Sequence, residues 1–86
     1  MRYSVVGAEE AHDDLARIWL SVSDRAIVRG AADEIDRQLS QDPENCGIGF
    51  PPHRLLAVPP LAVTFRVLPE DRIAMVLQVW YRAPRS

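Results

Sequence analysis

One stretch, LAVTFRVLPEDRIAMVLQVWYR at residues 61–82, constrains the fold more than any other part of the chain. Its first arm alternates Leu61, Val63, Phe65 and Val67 with Ala62, Thr64 and Arg66. Its second arm alternates Ile73, Met75, Leu77 and Val79 with Ala74, Val76, Gln78, Trp80 and Arg82. A period of two marks strands with one buried face. Pro69-Glu70-Asp71 supplies the turn, with Pro presetting φ and Asp tolerating turn geometry. The stretch therefore reads as a β-hairpin. Its aliphatic face is expected to consist of Leu61, Val63, Phe65 and Val67 with Ile73, Met75, Leu77 and Val79. Its other face is expected to carry Arg66, Gln78, Trp80 and Arg82, with Ala74 and Val76 diluting the polarity.

The remaining residues supply what that hairpin must pack against. Residues 2–6 (RYSVV), ending at Gly7, read as a first strand. Ala8, Ala11, Leu15, Ile18, Trp19 and Val22 recur every three or four positions, the stripe of an amphipathic helix. Glu9 and Glu10 suit its first turn. Asp13 and Arg17 are spaced for an i,i+4 ion pair. Ser23-Asp24 is a break and N-cap. A second helix follows from about Arg25 to Ser40, with Val28, Ala31, Ala32, Ile35 and Leu39 inward and Asp33 and Arg37 paired outward. Gly30 lies inside this helix, which implies close packing against the first helix. The short break makes the two helices a hairpin. Residues 43–52 read as loop, residues 53–58 (HRLLAV) as a strand, and Pro59-Pro60 as its connection to the main hairpin. The order is β-α-α-β-β-β, an α+β fold in which a helical hairpin covers one face of a small antiparallel sheet.

With 86 residues the chain is expected to be a single domain, residues 1–86. A hydrophobic fraction of 48% beside 26% charged residues is globular in character. No apolar run approaches a membrane span, no signal-peptide pattern opens the chain, and the lone Cys46 cannot form an internal disulfide. A cytoplasmic location is the expectation. The formal charge of −2 is split: residues 1–50 hold five Arg and ten acids, and residues 51–86 hold five Arg and two acids. Lys is absent. A polyanion, if one binds, is expected on the sheet. His12 and His53 lack metal-ligand spacing, Cys46 lacks an activating neighbour, and Gly47-Ile48-Gly49 opens no helix. No metal or cofactor is expected.

The element order, together with Asp14-Leu15-Ala16, Ile18-Trp19, Ala31-Ala32-Asp33-Glu34-Ile35-Asp36, Asp42-Pro43, Pro60-Leu61, Val63-Thr64-Phe65-Arg66-Val67 and Val79-Trp80-Tyr81-Arg82, resembles the RelE/ParE toxins of type II toxin–antitoxin systems. The resemblance covers essentially the whole chain and rests on the ordered set, since no one string is diagnostic. It implies a growth-inhibiting toxin of the plasmid-stabilization type, silenced by a cognate antitoxin protein. RelE-like members cleave mRNA on the ribosome, and ParE-like members act on DNA gyrase. By that resemblance Arg66 and Arg82 are the candidate catalytic residues, a phosphate clamp on one sheet face. Arg54, Trp80 and Arg85 are candidate substrate contacts, Trp80 by stacking a base.

The departures weigh on the choice between modes. Ala62 stands where RNA-cleaving relatives often carry Arg. Only Ala83-Pro84-Arg85-Ser86 follow the last strand, and no general base is evident on the open face. The sequence therefore favours a ParE-like or catalytically weakened toxin over an active ribosome-dependent mRNA endonuclease. A non-toxic partner-binding protein of the same fold is the third reading.

Overall fold

A computed structural model of the chain describes residues 2–49 and 52–82. Strand β1 (Ser4–Gly7) leads into helix α1 (Glu9–Ser21) and helix α2 (Arg25–Gln41). A 3-10 turn (Pro43–Asn45) then precedes β2 (Arg54–Val58), β3 (Leu61–Leu68) and β4 (Ile73–Tyr81). The strands form one four-stranded sheet in the order β1-β4-β3-β2. β2, β3 and β4 are an antiparallel meander. β1 runs parallel to β4, pairing Ser4–Gly7 with Ile73–Val76, so the sheet is mixed. This follows from the helical excursion, which returns the chain to the far end of the sheet before β2 begins.

The second helix begins where its sequence predicts. The Asp24 carboxylate accepts the Ile27 N–H at 3.3 Å and caps α2. Val28, Ala31, Ile35 and Leu39 from α2 and Ala11 and Ile18 from α1 pack onto Leu56, Leu61, Val63, Phe65, Ala74, Val76 and Val79. Phe65 and Leu39 are fully enclosed at its centre.

The β3–β4 pairing contains the feature that decides which residues face outward. Phe65 lies opposite Val76, but Thr64 lies opposite Gln78, so Leu77 is an extra residue in β4. This β-bulge reverses the strand's alternation. Before it, the buried residues are Ala74 and Val76; after it, Val79. The expectation that Ile73, Met75 and Leu77 join Val79 on the covered face is thus corrected. Ile73 and Met75 sit on the uncovered face, opposite Leu68 and Arg66. A reading at constant period cannot register an inserted residue.

Three smaller expectations also change. Arg17 pairs with Asp14 at 2.6 Å, not with Asp13. Arg37 pairs with Glu34, its Nε donating at 2.9 Å, not with Asp33. Both partners are at i−3, which the helix surface brings as near as i−4. Gly30 is solvent-exposed, and a Cβ there would meet nothing within 4 Å, so helix packing does not require it. Gly47 is a glycine that the fold demands. Its φ is +72°, and a Cβ would lie 2.2 Å from the Leu55 carbonyl oxygen. There the chain turns so that Ile48 exchanges two backbone hydrogen bonds with Leu55 along the outer edge of β2.

Candidate functional site

The face of the sheet turned away from the helices is built from alternate residues of each strand. By register one row holds Val6, Met75 and Arg66; a second holds Ser4, Ile73 and Leu68; a third holds Gln78, Thr64 and Leu55; a fourth holds Trp80, Ala62 and Ala57. Because of the bulge the face is more apolar than expected. Val6 is 41% exposed, and Ile73, Met75 and Leu68 are half-buried with no layer over them.

Arg66 and Arg82 share this face, at different points along it. Arg66 lies opposite Met75, and the Arg82 N–H bonds to the Pro60 carbonyl at 2.9 Å. Pro60 and Arg66 are six positions apart along one strand direction, about 20 Å at roughly 3.3 Å per residue. An extended arginine reaches only part of that span. The two guanidinium groups thus share a face, as the clamp requires, with their backbones well separated along it. The face presents two separate basic ends.

At the Arg82 end, Trp80 is 47% exposed on the same face, two residues before Arg82. Tyr81, opposite buried Leu61, sits at the helix-side rim and is 36% exposed. Between the two ends is Thr64, whose Oγ1 is buried without a hydrogen-bond partner among the described residues. Sequence reasoning did not single out Thr64, because a β-strand threonine carries no signal of its own.

Arg54 does not belong to this face. It pairs with Phe65 in register, which places it on the helix side, and it donates to the Glu44 backbone carbonyl. Period-two parity was available for this residue, but its strand was too short to orient without a partner. Arg85 lies outside the described residues. His53 is exposed and directly precedes β2; one further step of the β2–β3 register would set it opposite Arg66. Sequence reasoning considered His53 only as a metal ligand. The β2–β3 register is the signal that relates it to Arg66.

The edge of the far half of β4 is closed by a helix side chain. The Asp14 carboxylate of α1 accepts the Val79 N–H at 3.1 Å, and Gln78 Nε2 donates to Glu10 at 3.2 Å. This covers an edge that β1, ending at Gly7 opposite Val76, leaves open. On the other side of the molecule, burial, reinforced by the Asp42 carboxylate, pushes the Cys46 thiol up. Its Sγ donates to the Asp42 carbonyl at 3.0 Å, an inert arrangement. Among the described residues no group of His, Cys, Asp and Glu could hold a metal ion. No helix of the described residues is long and apolar enough to cross a membrane.

No protein-family model and no characterised protein sequence matches the chain significantly. Solved structures do. The RelBE2 toxin–antitoxin complex from Mycobacterium tuberculosis superimposes with a TM-score of 0.77 at 20% identity, covering 95% of this chain and 100% of the other. The chromosomal ParDE toxin–antitoxin system from P. aeruginosa gives 0.68 at 18% identity, covering 95% and 98%. The isolated E. coli RelE toxin gives 0.62 at 18% identity, covering 98% and 87%. The chain has the fold of RelE/ParE toxins, as its sequence implied.

Proposed function

We propose that the chain is the toxin of a type II toxin–antitoxin pair, neutralised by a cognate antitoxin, and that it is ParE-like or a weakened RelE-like toxin. The fold is common to both classes. What supports the ParE-like or weakened reading is the uncovered sheet face. Its arginines stand about 20 Å apart by strand spacing. The described strand residues of that face include no Asp, Glu, His, Tyr or Lys between them. General acid–base catalysis normally contributes ~10²–10⁴-fold, so a face without such a group is poorly equipped for RNA cleavage. It is well equipped to bind a protein, through Val6, Ile73, Met75 and Trp80 flanked by Arg66 and Arg82.

The decisive experiment expresses the chain without antitoxin and follows growth, mRNA integrity and gyrase supercoiling together. Growth arrest with intact mRNA and impaired supercoiling supports the ParE-like reading. Codon-periodic cuts in translated mRNA support the endonuclease reading instead, in which exposed His53, the residue before β2, is the candidate base. His53→Ala and Arg82→Ala would then reduce cutting. Normal growth with both readouts unchanged assigns the chain to partner binding without toxicity.

A further inference from the structure

We propose that the cavity between the two helices and the sheet binds a small organic amine, a one-ring or short aliphatic body carrying a single positive charge. The proposal goes beyond the toxin reading and does not rest on it. The helices meet the sheet at different strands, α1 mainly at β4 and α2 at β2, β1 and β3. Between them lies a cavity of about 140 Å³. Its walls include Ala11 and Leu15 of α1, Ala32 and Ile35 of α2, and Val76 and Val79 of β4. Such walls offer water few hydrogen-bond partners, so an apolar body gains by replacing it. An engineered apolar cavity of about 150 Å³ takes up benzene, which sets the size of body that fits.

Two polar side chains also line the cavity, His12 of α1 and Asp36 of α2. Both residues are exposed, which sets them at the mouth rather than the floor. The His12 ring lies against β1: a Cβ added to Gly7 would be 3.1 Å from its Nε2. The Asp36 carboxylate is available. The ion pairs among the described residues are Arg17 with Asp14 and Arg37 with Glu34, and Asp36 is in neither. No arginine stands three or four positions from it on α2, and Asp33, one turn earlier, adds like charge.

Charge decides the head group. Residues 1–50, which supply both helices, hold ten acids against five Arg. An ammonium group at the mouth is drawn by Asp36 and by that surrounding field, while a carboxylate is repelled by both. A neutral apolar molecule covers the walls and leaves Asp36 unused. A small polar cation engages Asp36 and leaves the walls uncovered. An amine with a short apolar body uses both.

The test titrates benzylamine into the full chain at pH 8, where the probe is charged, and follows the methyl signals of Ile35, Val76 and Val79 by NMR. Controls are benzyl alcohol, its neutral counterpart; benzoate, an anion of similar size; and methylamine, the charge without the ring. The expected result is saturable movement of those signals, with benzylamine bound roughly two- to fivefold tighter than benzyl alcohol, the range of an exposed charge pair. Benzoate and methylamine should bind weakest. Asp36→Asn should erase the preference for the amine and keep the binding of the alcohol. Ala32→Leu, at a half-buried position on the wall, should abolish both. Urea titration checks that the variants fold, and Leu15→Phe fills the cavity from the other helix should Ala32→Leu fail to. No saturable movement of the cavity methyls up to the solubility of benzylamine overturns the proposal. So does benzoate binding as tightly as benzylamine, an amine preference that survives Asp36→Asn, or binding unchanged in a folded, cavity-filled variant. Movement of the same signals on concentrating the chain alone, removed by Ala32→Leu, assigns the cavity to a side chain of a second copy and also overturns it.

Discussion

The two halves of β4, either side of Leu77, solve different problems with the same strand. In the first half, Ile73–Val76, both edges are hydrogen-bonded, to β1 and to β3, and even-numbered residues face the helices. In the second half β1 has ended, and a carboxylate from α1 takes the place of a neighbouring strand at Val79, the buried residue. One inserted residue joins the halves and sets their faces independently. It is why Met75 looks outward beside Arg66 while Val79, four positions on, looks inward. The chemistry of the exposed face follows from that insertion rather than from the alternation along the strand.

The strongest way to break this account is to exchange polarity at adjacent positions of the first half. Val76→Asp places a carboxylate opposite Phe65, in the largely apolar space that Val76 shares with Val63 and Ala11, at a cost on the order of 4 kcal/mol. That approaches the whole stability of a small domain, roughly 4–13 kcal/mol for a chain of this length at 0.05–0.15 kcal/mol per residue. Val76→Asp should therefore leave the chain largely unfolded in a urea titration. Met75→Asp, on the open face, should shift the transition by no more than about 1 kcal/mol. The reverse order would restore the constant-period reading and remove the bulge from the argument.

A second measurement separates the halves by how their edges are closed. Asp14→Ala leaves the Val79 N–H without an acceptor and should cost about 1–3 kcal/mol. Hydrogen exchange at Val79 should accelerate, while the amides of residues 73–76 keep their protection. Asp14→Asn retains a side-chain carbonyl and should recover part of the loss. Uniform acceleration along β4 would mean that Asp14 supports the strand as a whole rather than this edge.

The same contrast shows what was legible from residues alone. The six elements and their order follow from local patterns, and β3 was oriented correctly because Leu61, Val63 and Phe65 alternate without interruption. β4 was oriented correctly only at its C-terminal end, since Val79, Trp80 and Tyr81 lie past the bulge. A strand with apolar residues at nearly every position from Ile73 to Leu77 gives alternation no contrast to read. The spacing of Arg66 from Arg82 was likewise hidden. Parity places two residues on a face, whereas distance along it needs the pairing register. Gly30 invited a packing explanation because glycine costs stability inside a helix, yet its surroundings are open.

That glycine provides a third, smaller test on the solvent side of the molecule, where neither half of β4 is involved. Gly30→Ala adds a methyl group into open space and should raise stability by about 0.5–1 kcal/mol through helix propensity and a less flexible unfolded chain. Chemical denaturation would detect it. A loss would mean that α2 meets something at that position which the fold of the chain does not include, and the same measurement repeated with Val76→Ala would show whether core and surface effects add.

The smallest effect should come from Glu34, and its sign is fixed by the direction of its shift. Hydrogen bonds from Arg37 and then Gln38 hold its carboxyl at about 2, below the ordinary 4.5. A carboxylate whose folded value is depressed stabilises the fold above its unfolded value, and that contribution is lost as pH falls from about 4.5 toward 2. The pair is exposed and shares its field with water, so the contribution is minor. Stability measured from pH 6 down to pH 2 should fall slightly less steeply in Glu34→Gln than in the parent, with the curves differing only in that acid window. Because Glu34 is on α2, away from β4, the difference should be the same in the Met75→Asp background. A change in that background would couple the helix surface to the outward half of the strand, which the packing described above does not provide for.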